Sequence, residues 1–236
     1  MITALMAVAA VVSAAHAKTL IVYYSFTNNV KAIAEDLYSQ IPDADIVRIE
    51  PAEEDIDYAA NNYAVGDELI KRINDNPDDA ASYPEIKPVD ADLSLYSEVF
   101  IAVPLWWSHA AAPMQTYLFH HGAEMSGKHI GLIVSSASSG VSGVEADVHR
   151  LVPDGNFLTP TLWIRSSQTG NCHSLTAQWL LDIGYADIAS RVELADADSE
   201  PVAYYDLQGR AVLQMPQSGI YIARYGDGRS RKVAVR

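Results

Sequence analysis

The chain holds a single cysteine, Cys172, among its 236 residues. That excludes an internal disulfide and any metal site built from cysteine alone. Cationic side chains are scarce too: 16 Lys and Arg stand against 30 Asp and Glu, a formal charge of -14. Such a chain repels the phosphates of nucleic acid and of anionic lipid, so neither partner is expected. The acidic groups read as a solvated face, or as a means of steering toward a basic protein. No pair among the seven histidines has zinc-ligand spacing, and His120 and His121, being adjacent, do not share a helix face. No metal site is expected. The only strongly apolar run at the start, residues 1–17, is short for a membrane span.

Familiar catalytic signatures are missing as well. Gly122-Ala123-Glu124-Met125-Ser126-Gly127-Lys128 has the glycine spacing of a P-loop. His129 stands where Ser or Thr is required, however, and the stretch precedes a strand instead of following one. Gly140-Val141-Ser142-Gly143-Val144 lacks the last glycine of a nucleophile elbow. Cys172 and His173 are neighbours in sequence, an arrangement in which the two side chains rarely face each other. The Ser135 to Ser139 run has no evident His or acid partner for a hydrolase, and no catalytic residue is assigned.

What is present is organised around one loop, Tyr24-Ser25-Phe26-Thr27-Asn28-Asn29-Val30. It joins an apolar run, Thr19 to Tyr24, to a helical pattern in which Val30, Ile33, Ala34, Leu37 and Ile41 form one face. A strand turning directly into a helix leaves amide donors at the positive end of the helix dipole, a site for an anion such as phosphate. Ser25, Thr27, Asn28 and Asn29 add polar side chains, although the same residue types serve equally as turn and N-cap residues.

Further strands are expected at Asp45 to Ile49, Glu98 to Val103, His129 to Val134 and Thr161 to Arg165. Helices are expected around Asp67 to Asn74, from Pro113 to before Gly122, at Val144 to Leu151 and at Leu175 to Ile183. This alternation predicts a mostly parallel sheet covered on both faces. In such a sheet ligands bind beyond the carboxyl ends of the strands, where strand order reverses. Three loops fall there: the one just described, Pro104-Leu105-Trp106-Trp107-Ser108-His109, and Ser135 to Gly140. The first suits a phosphate, the second a flat aromatic ligand, and the third allows close backbone approach. A Trp pair is also a common core element. His109 is a candidate to touch a ligand ring or donate a proton. Tyr58 and Tyr63, in the long acidic excursion 53–81, are candidates to cover a ligand or to pack down.

On these residues, with Ala34, Gly127-Lys128 and Ser135 to Gly143, the chain from Lys18 to about Ala189 resembles the flavodoxin-like FMN-binding proteins, particularly a bacterial subgroup. The resemblance implies a doubly wound five-stranded parallel sheet of order 2-1-3-4-5. It also implies FMN bound by Ser25, Thr27, Asn28, Asn29, Val30, Pro104, Leu105, Trp106, Trp107, Ser138, Ser139 and Gly140. The family's first loop reads Ser-x-Thr-Gly-Asn-Thr; here Asn28 replaces the glycine and Val30 the last threonine. Loss of that hydroxyl implies FMN affinity about ten- to hundredfold lower. The implied function is electron transfer, or reduction of a small acceptor such as a quinone. A non-redox binding module with a degenerate FMN site is the alternative.

Residues 1–17, ending Ala15-His16-Ala17, read as a signal peptide, so that the mature chain is exported and carries no stable membrane span. The main domain is then 18–192, and 193–201 is an acidic linker. From 202 to 236, short β-like runs alternate with Gly- and Pro-containing turns, a small all-β appendage. Tyr205 to Arg210, Ser218 to Ile222 and Arg231 to Val233 resemble the end of the C-terminal sorting domains of exported Bacteroidetes proteins. That implies delivery to the periplasm or the cell surface.

Overall fold

Leu20, Ile21, Val22 and Tyr23 are all buried, so the strand they form, β1 (Lys18–Tyr23), is covered on both sides. Successive side chains point to opposite faces, and accordingly Leu20 and Val22 join one apolar cluster while Ile21 and Tyr23 join another. The computed structural model describes residues 18–54, 56–185, 203–206, 210–212, 219–224 and 230–235. The signal-peptide reading of 1–17 and the linker reading of 193–201 lie outside the described residues.

Contacts divide the chain into a main unit, Ala17–Asp187, and a second that includes Ile188–Arg236. In the main unit β1 is followed by α1 (Asn29–Gln40), β2 (Asp45–Arg48), α2 (Ala60–Asp75), β3 (Tyr96–Trp106), β4 (His109–Ala110), α3 (Ala112–His121) and β5 (His129–Ser136). Then come α4 (Ser142–Leu151), β6 (Asn156–Phe157), β7 (Leu162–Arg165) and α5 (Cys172–Asp182), with short 3-10 turns between elements. The sheet runs β2-β1-β3-β5, and the fifth position is shared by β6 and β7. β6 pairs with the start of β5 (His129 with Asn156) and β7 with its end (Ser136 with Arg165). All of these pairings are parallel, which is the doubly wound order 2-1-3-4-5.

One face of the sheet takes α1 and α5. Val30, Ile33, Ala34 and Leu37 recur at helical spacing and are buried against Ile21, Phe100 and Trp179. Complete burial of a side chain such as Ile33 or Leu37 contributes roughly 1.5–3 kcal/mol. α1 stops at Ile41, whose backbone is extended, and Pro42 follows. Asp36 then ties α1 to α5, accepting from Thr176 Oγ1 at 2.6 Å and His173 Nδ1 at 2.9 Å. The other face is covered through Ile70 and Ile73 of α2, Met114 and Tyr117 of α3, and Val144 and Val148 of α4.

Among the elements that differ from expectation are β3 and α2. β3 continues past Val103 to Trp106 and folds back through β4, pairing Leu105 with Ala110 and Trp106 with His109. Pro104 is accommodated because β1 pairs with β3 only up to Ala102 and Tyr24 N–H takes the Ala102 carbonyl; beyond it β1 requires no donor from β3. α2 begins at Ala60, seven residues early, but its first turn is wound the wrong way: Asn61, Asn62 and Tyr63 have φ of 52, 60 and 65°. Asn visits this region readily and Tyr does not.

The second unit is an antiparallel sheet of β8 (Ala203–Tyr205), β9 (Ala211–Val212), β10 (Gly219–Arg224) and β11 (Ser230–Val235), in the order β11-β10-β8-β9. The Asp206 carboxylate accepts from Arg210 N–H and Nε at 2.9 and 2.7 Å. Among the described residues no helix is long and apolar enough to cross a membrane.

Candidate functional site

A cleft of about 470 Å³ opens at the carboxyl ends of β1, β3, β5 and β7. That is the place where the connections leaving β1 and β3 part to opposite faces of the sheet. Its volume lies within the range of roughly 300–1,000 Å³ common to small-molecule sites.

The floor is the β1–α1 loop, through Ser25, Phe26, Thr27, Asn29 and Val30. The first carbonyl bond of α1 runs from Ala32 N–H to Asn28 O, so the amides before it point out of the helix start. No acidic residue stands in that first turn, which leaves the positive end of the helix uncompensated. Ser25 is only 3% exposed, and its Oγ has no hydrogen-bond partner among the described residues. A buried hydroxyl left unbonded is destabilising, and a phosphate oxygen at the cleft floor would satisfy it. Arg48 Nη2 donates to the Ser25 carbonyl at 3.4 Å, bringing a cation beside the loop. Asn29 accepts from Thr169 Oγ1 at 3.3 Å and donates to Thr27 Oγ1 at 3.1 Å. Asn28 sits at φ 64°, the backbone conformation that glycine would supply, and its side chain does not cap the helix. Asn28 itself does not line the cleft.

One wall is aromatic. Trp106 packs against Tyr24, Phe26 and Tyr58 with ring centroids 5.6, 6.3 and 4.9 Å away. Trp107 forms the rim: it is 41% exposed and meets Tyr63, itself 51% exposed, at 6.5 Å. Pro104 and Leu105 continue this wall toward the sheet. Burial pushes the Tyr58 phenol up to about 12, with Glu53 adding to the shift. Burial raises Tyr24 further still. Both are therefore neutral hydroxyls at ordinary pH. Together the unbonded Ser25 hydroxyl, the helix start and the aromatic wall fit an anionic ligand that carries a flat ring.

The third side comes from Ser135, Ser136 and Ala137, with Ser166 after β7. The expected Ser138, Ser139 and Gly140 are exposed and lie outside the lining, because β5 runs on through Ser136 and the chain then turns away. Ser136 Oγ donates to the Ser139 carbonyl and accepts from Trp163 Nε1, both at 2.9 Å. No histidine among the described residues hydrogen-bonds a serine of this run.

His109 does not line the cleft either. Its ring is bonded on both sides, Nδ1 donating to Asp147 at 3.0 Å and Nε2 accepting from Asn74 at 3.1 Å. Phe26, Ser135, Ser136, Ala137 and Ser166 line the cleft although none is among the expected FMN-binding residues; Ser166 lies sixty residues beyond Trp106 and only the sheet order brings it here. Among the described residues no cluster of His, Cys, Asp and Glu is placed to hold a metal ion.

An open doubly wound sheet with a polar helix-start loop facing an aromatic wall defines a ligand-binding α/β protein with its site at the switch point. The chain belongs to the flavodoxin family, whose model matches residues 18–183. Among the solved structures that share the fold are two flavoproteins. One is a flavoprotein from Lactobacillus acidophilus NCFM, solved in complex with FMN. It is 24% identical, the match covers 67% of this chain and 99% of that one, and the TM-score is 0.52. The other is a putative flavoprotein from Bacteroides uniformis ATCC 8492, 21% identical, covering 67% of this chain and 96% of its own, also with a TM-score of 0.52. No curated protein matches the sequence.

Proposed function

We propose that this chain binds FMN non-covalently in the cleft and serves in electron transfer, or in the reduction of a small acceptor such as a quinone. The observation that carries this reading is the buried, unbonded Ser25 hydroxyl at the start of α1, opposite the Trp106 wall. Ser25, Thr27, Asn29 and the first amides of α1 would hold the phosphate. Pro104, Trp106 and Trp107 would shield the flat ring from water, while Ser135, Ser136 and Ala137 would face its polar edge. Bound FMN supplies the redox chemistry, and the protein positions the ring and tunes its potential. A net charge of -14 disfavours added negative charge and therefore lowers that potential.

An absorbance spectrum tests the reading directly. Adding FMN to about 100 μM should perturb the flavin bands and quench tryptophan fluorescence, since a site with a Kd at or below that value is at least half filled. An unchanged spectrum and unchanged fluorescence would remove the proposal.

A second reading, a non-redox binding module on the same fold, draws on Val30. Its side chain is 2% exposed, packed with Ile33 and Leu37, and offers no hydroxyl to a phosphate. Tightly bound yellow cofactor in protein taken from its native host would count against it. We also propose export to the periplasm or cell surface, supported by the apolar residues 1–17 and by the sorting-domain resemblance of 202–236. N-terminal sequencing of the protein recovered outside the cytoplasm should then begin near Lys18.

A further inference from the structure

The β3–β4 hairpin that carries the tryptophan wall is gripped from outside the cleft. Asp147, buried on α4, accepts from the Ala110 amide at 2.9 Å and from His109 Nδ1 at 3.0 Å. On the far side of the imidazole, Asn74 Nδ2 of α2 donates to His109 Nε2 at 3.1 Å. Arg150 stands 4.0 Å from the other oxygen of Asp147 and is itself held by Tyr83 and Gln115, which fixes the carboxylate in turn.

The hairpin tip is one that would not hold itself. Trp107 and Ser108 have φ of 47 and 70°, so both central residues of the two-residue turn are left-handed. A turn of this kind built for stability alone takes Asn or Gly at these positions. Strained backbone of this sort persists where the surroundings over-determine it. Two close approaches complete the grip. A Cβ on Gly143 of α4 would stand 2.0 Å from the Ser108 carbonyl oxygen, and one on Gly66 of α2 would stand 2.8 Å from the Trp107 ring.

We propose that Asp147, acting through His109 and the Ala110 amide, is a positioning residue that sets where Trp106 and Trp107 stand in the cleft. Neither Asp147 nor His109 lines the cleft, so the effect is exerted on the indoles and not on the ligand. The inference rests on the FMN reading for its ligand readout only; the placement of the indoles is measured without ligand.

The test uses the full chain carrying fluorotryptophan, whose four Trp residues provide four fluorine NMR resonances. In Asp147→Ala the Trp106 and Trp107 resonances should move or broaden, while those of Trp163 and Trp179 stay in place and report an intact sheet. FMN affinity should fall about tenfold, as expected for removing a charged acceptor from a fixed pair of donors. With Asp147 in place, His109→Asn keeps a donor close to the place of Nδ1 and should hold both readouts near those of the native chain; His109→Ala should shift them. If Asp147→Ala fails to fold, His109→Ala, which removes one of the two donors and leaves the carboxylate bonded to the Ala110 amide, takes its place with the same two readouts expected to move. Unmoved Trp106 and Trp107 resonances would overturn the proposal, as would displaced resonances with FMN affinity unchanged. Should the native chain take up no FMN, the cofactor reading fails and the resonances alone decide the positioning role.

Discussion

At the scale of single residues, the cleft floor depends on two departures from the family's loop pattern, and they behave differently. Asn28 occupies the glycine position at φ 64°, and Asn is the side chain that tolerates this backbone best. Asn28→Gly should therefore leave stability nearly unchanged, whereas Asn28→Val should cost about 1–2 kcal/mol in urea unfolding. Val30 is the more consequential departure. Its side chain faces the core yet touches the cleft, so a threonine there can keep its methyl buried and turn its hydroxyl to the ligand. Val30→Thr should raise FMN affinity about tenfold in a fluorescence titration, the worth of one charged hydrogen bond. The sequence shows both substitutions plainly. That the Ser25 hydroxyl is buried and unbonded cannot be read from it, because burial depends on strands more than seventy residues away.

At the scale of elements, the decisive piece is the β3–β4 hairpin. The Trp-Trp pair is conspicuous in the sequence, but Pro104 and Trp-Ser at the tip give no hairpin signal of the Asn-Gly kind. β4 is only two residues long and is defined by what grips it. Hence His109, a candidate for the cleft by its place in sequence, lies outside the lining and is held by a carboxylate thirty-eight residues later. Gly143→Ala would push a methyl group into the Ser108 carbonyl, two backbones that have no side-chain freedom to yield. We expect a loss of about 1–3 kcal/mol in urea unfolding and a shift in tryptophan fluorescence. The first turn of α2 was equally hidden, since nothing in Asn61-Asn62-Tyr63 announces a left-handed turn.

At the scale of the whole molecule, buried phenols link stability to alkaline pH. Burial raises Tyr24, Tyr58, Tyr96, Tyr117 and Tyr185, and in Tyr96 a hydrogen bond to Asp45 adds to it; Tyr58 and Tyr96 reach about 12. Unfolded tyrosine loses its proton near 10, so between pH 10 and 12 the folded chain holds protons that the unfolded chain has released. Their contribution is complete below pH 10 and is lost as pH rises toward 12, which should appear as a falling urea midpoint across that window. Tyr58→Phe should make the decline shallower.

The sequence by itself determined the parallel α/β architecture, because strands buried on both faces require continuous apolar runs and helices require a 3.6-residue period. It also determined that the loop after the first strand starts a helix with amides free for an anion. Only the tertiary structure decided which side chains meet across the switch point. Ser135 to Ala137 line the cleft in place of Ser138 to Gly140 because β5 extends two residues beyond its apolar run. Ser166 joins them because β7 pairs with the end of β5. Trp106 lines the cleft and His109 does not, and the second strand of their hairpin is bonded to Asp147 on α4. These are contacts between residues distant in sequence, and local propensity carries no information about them.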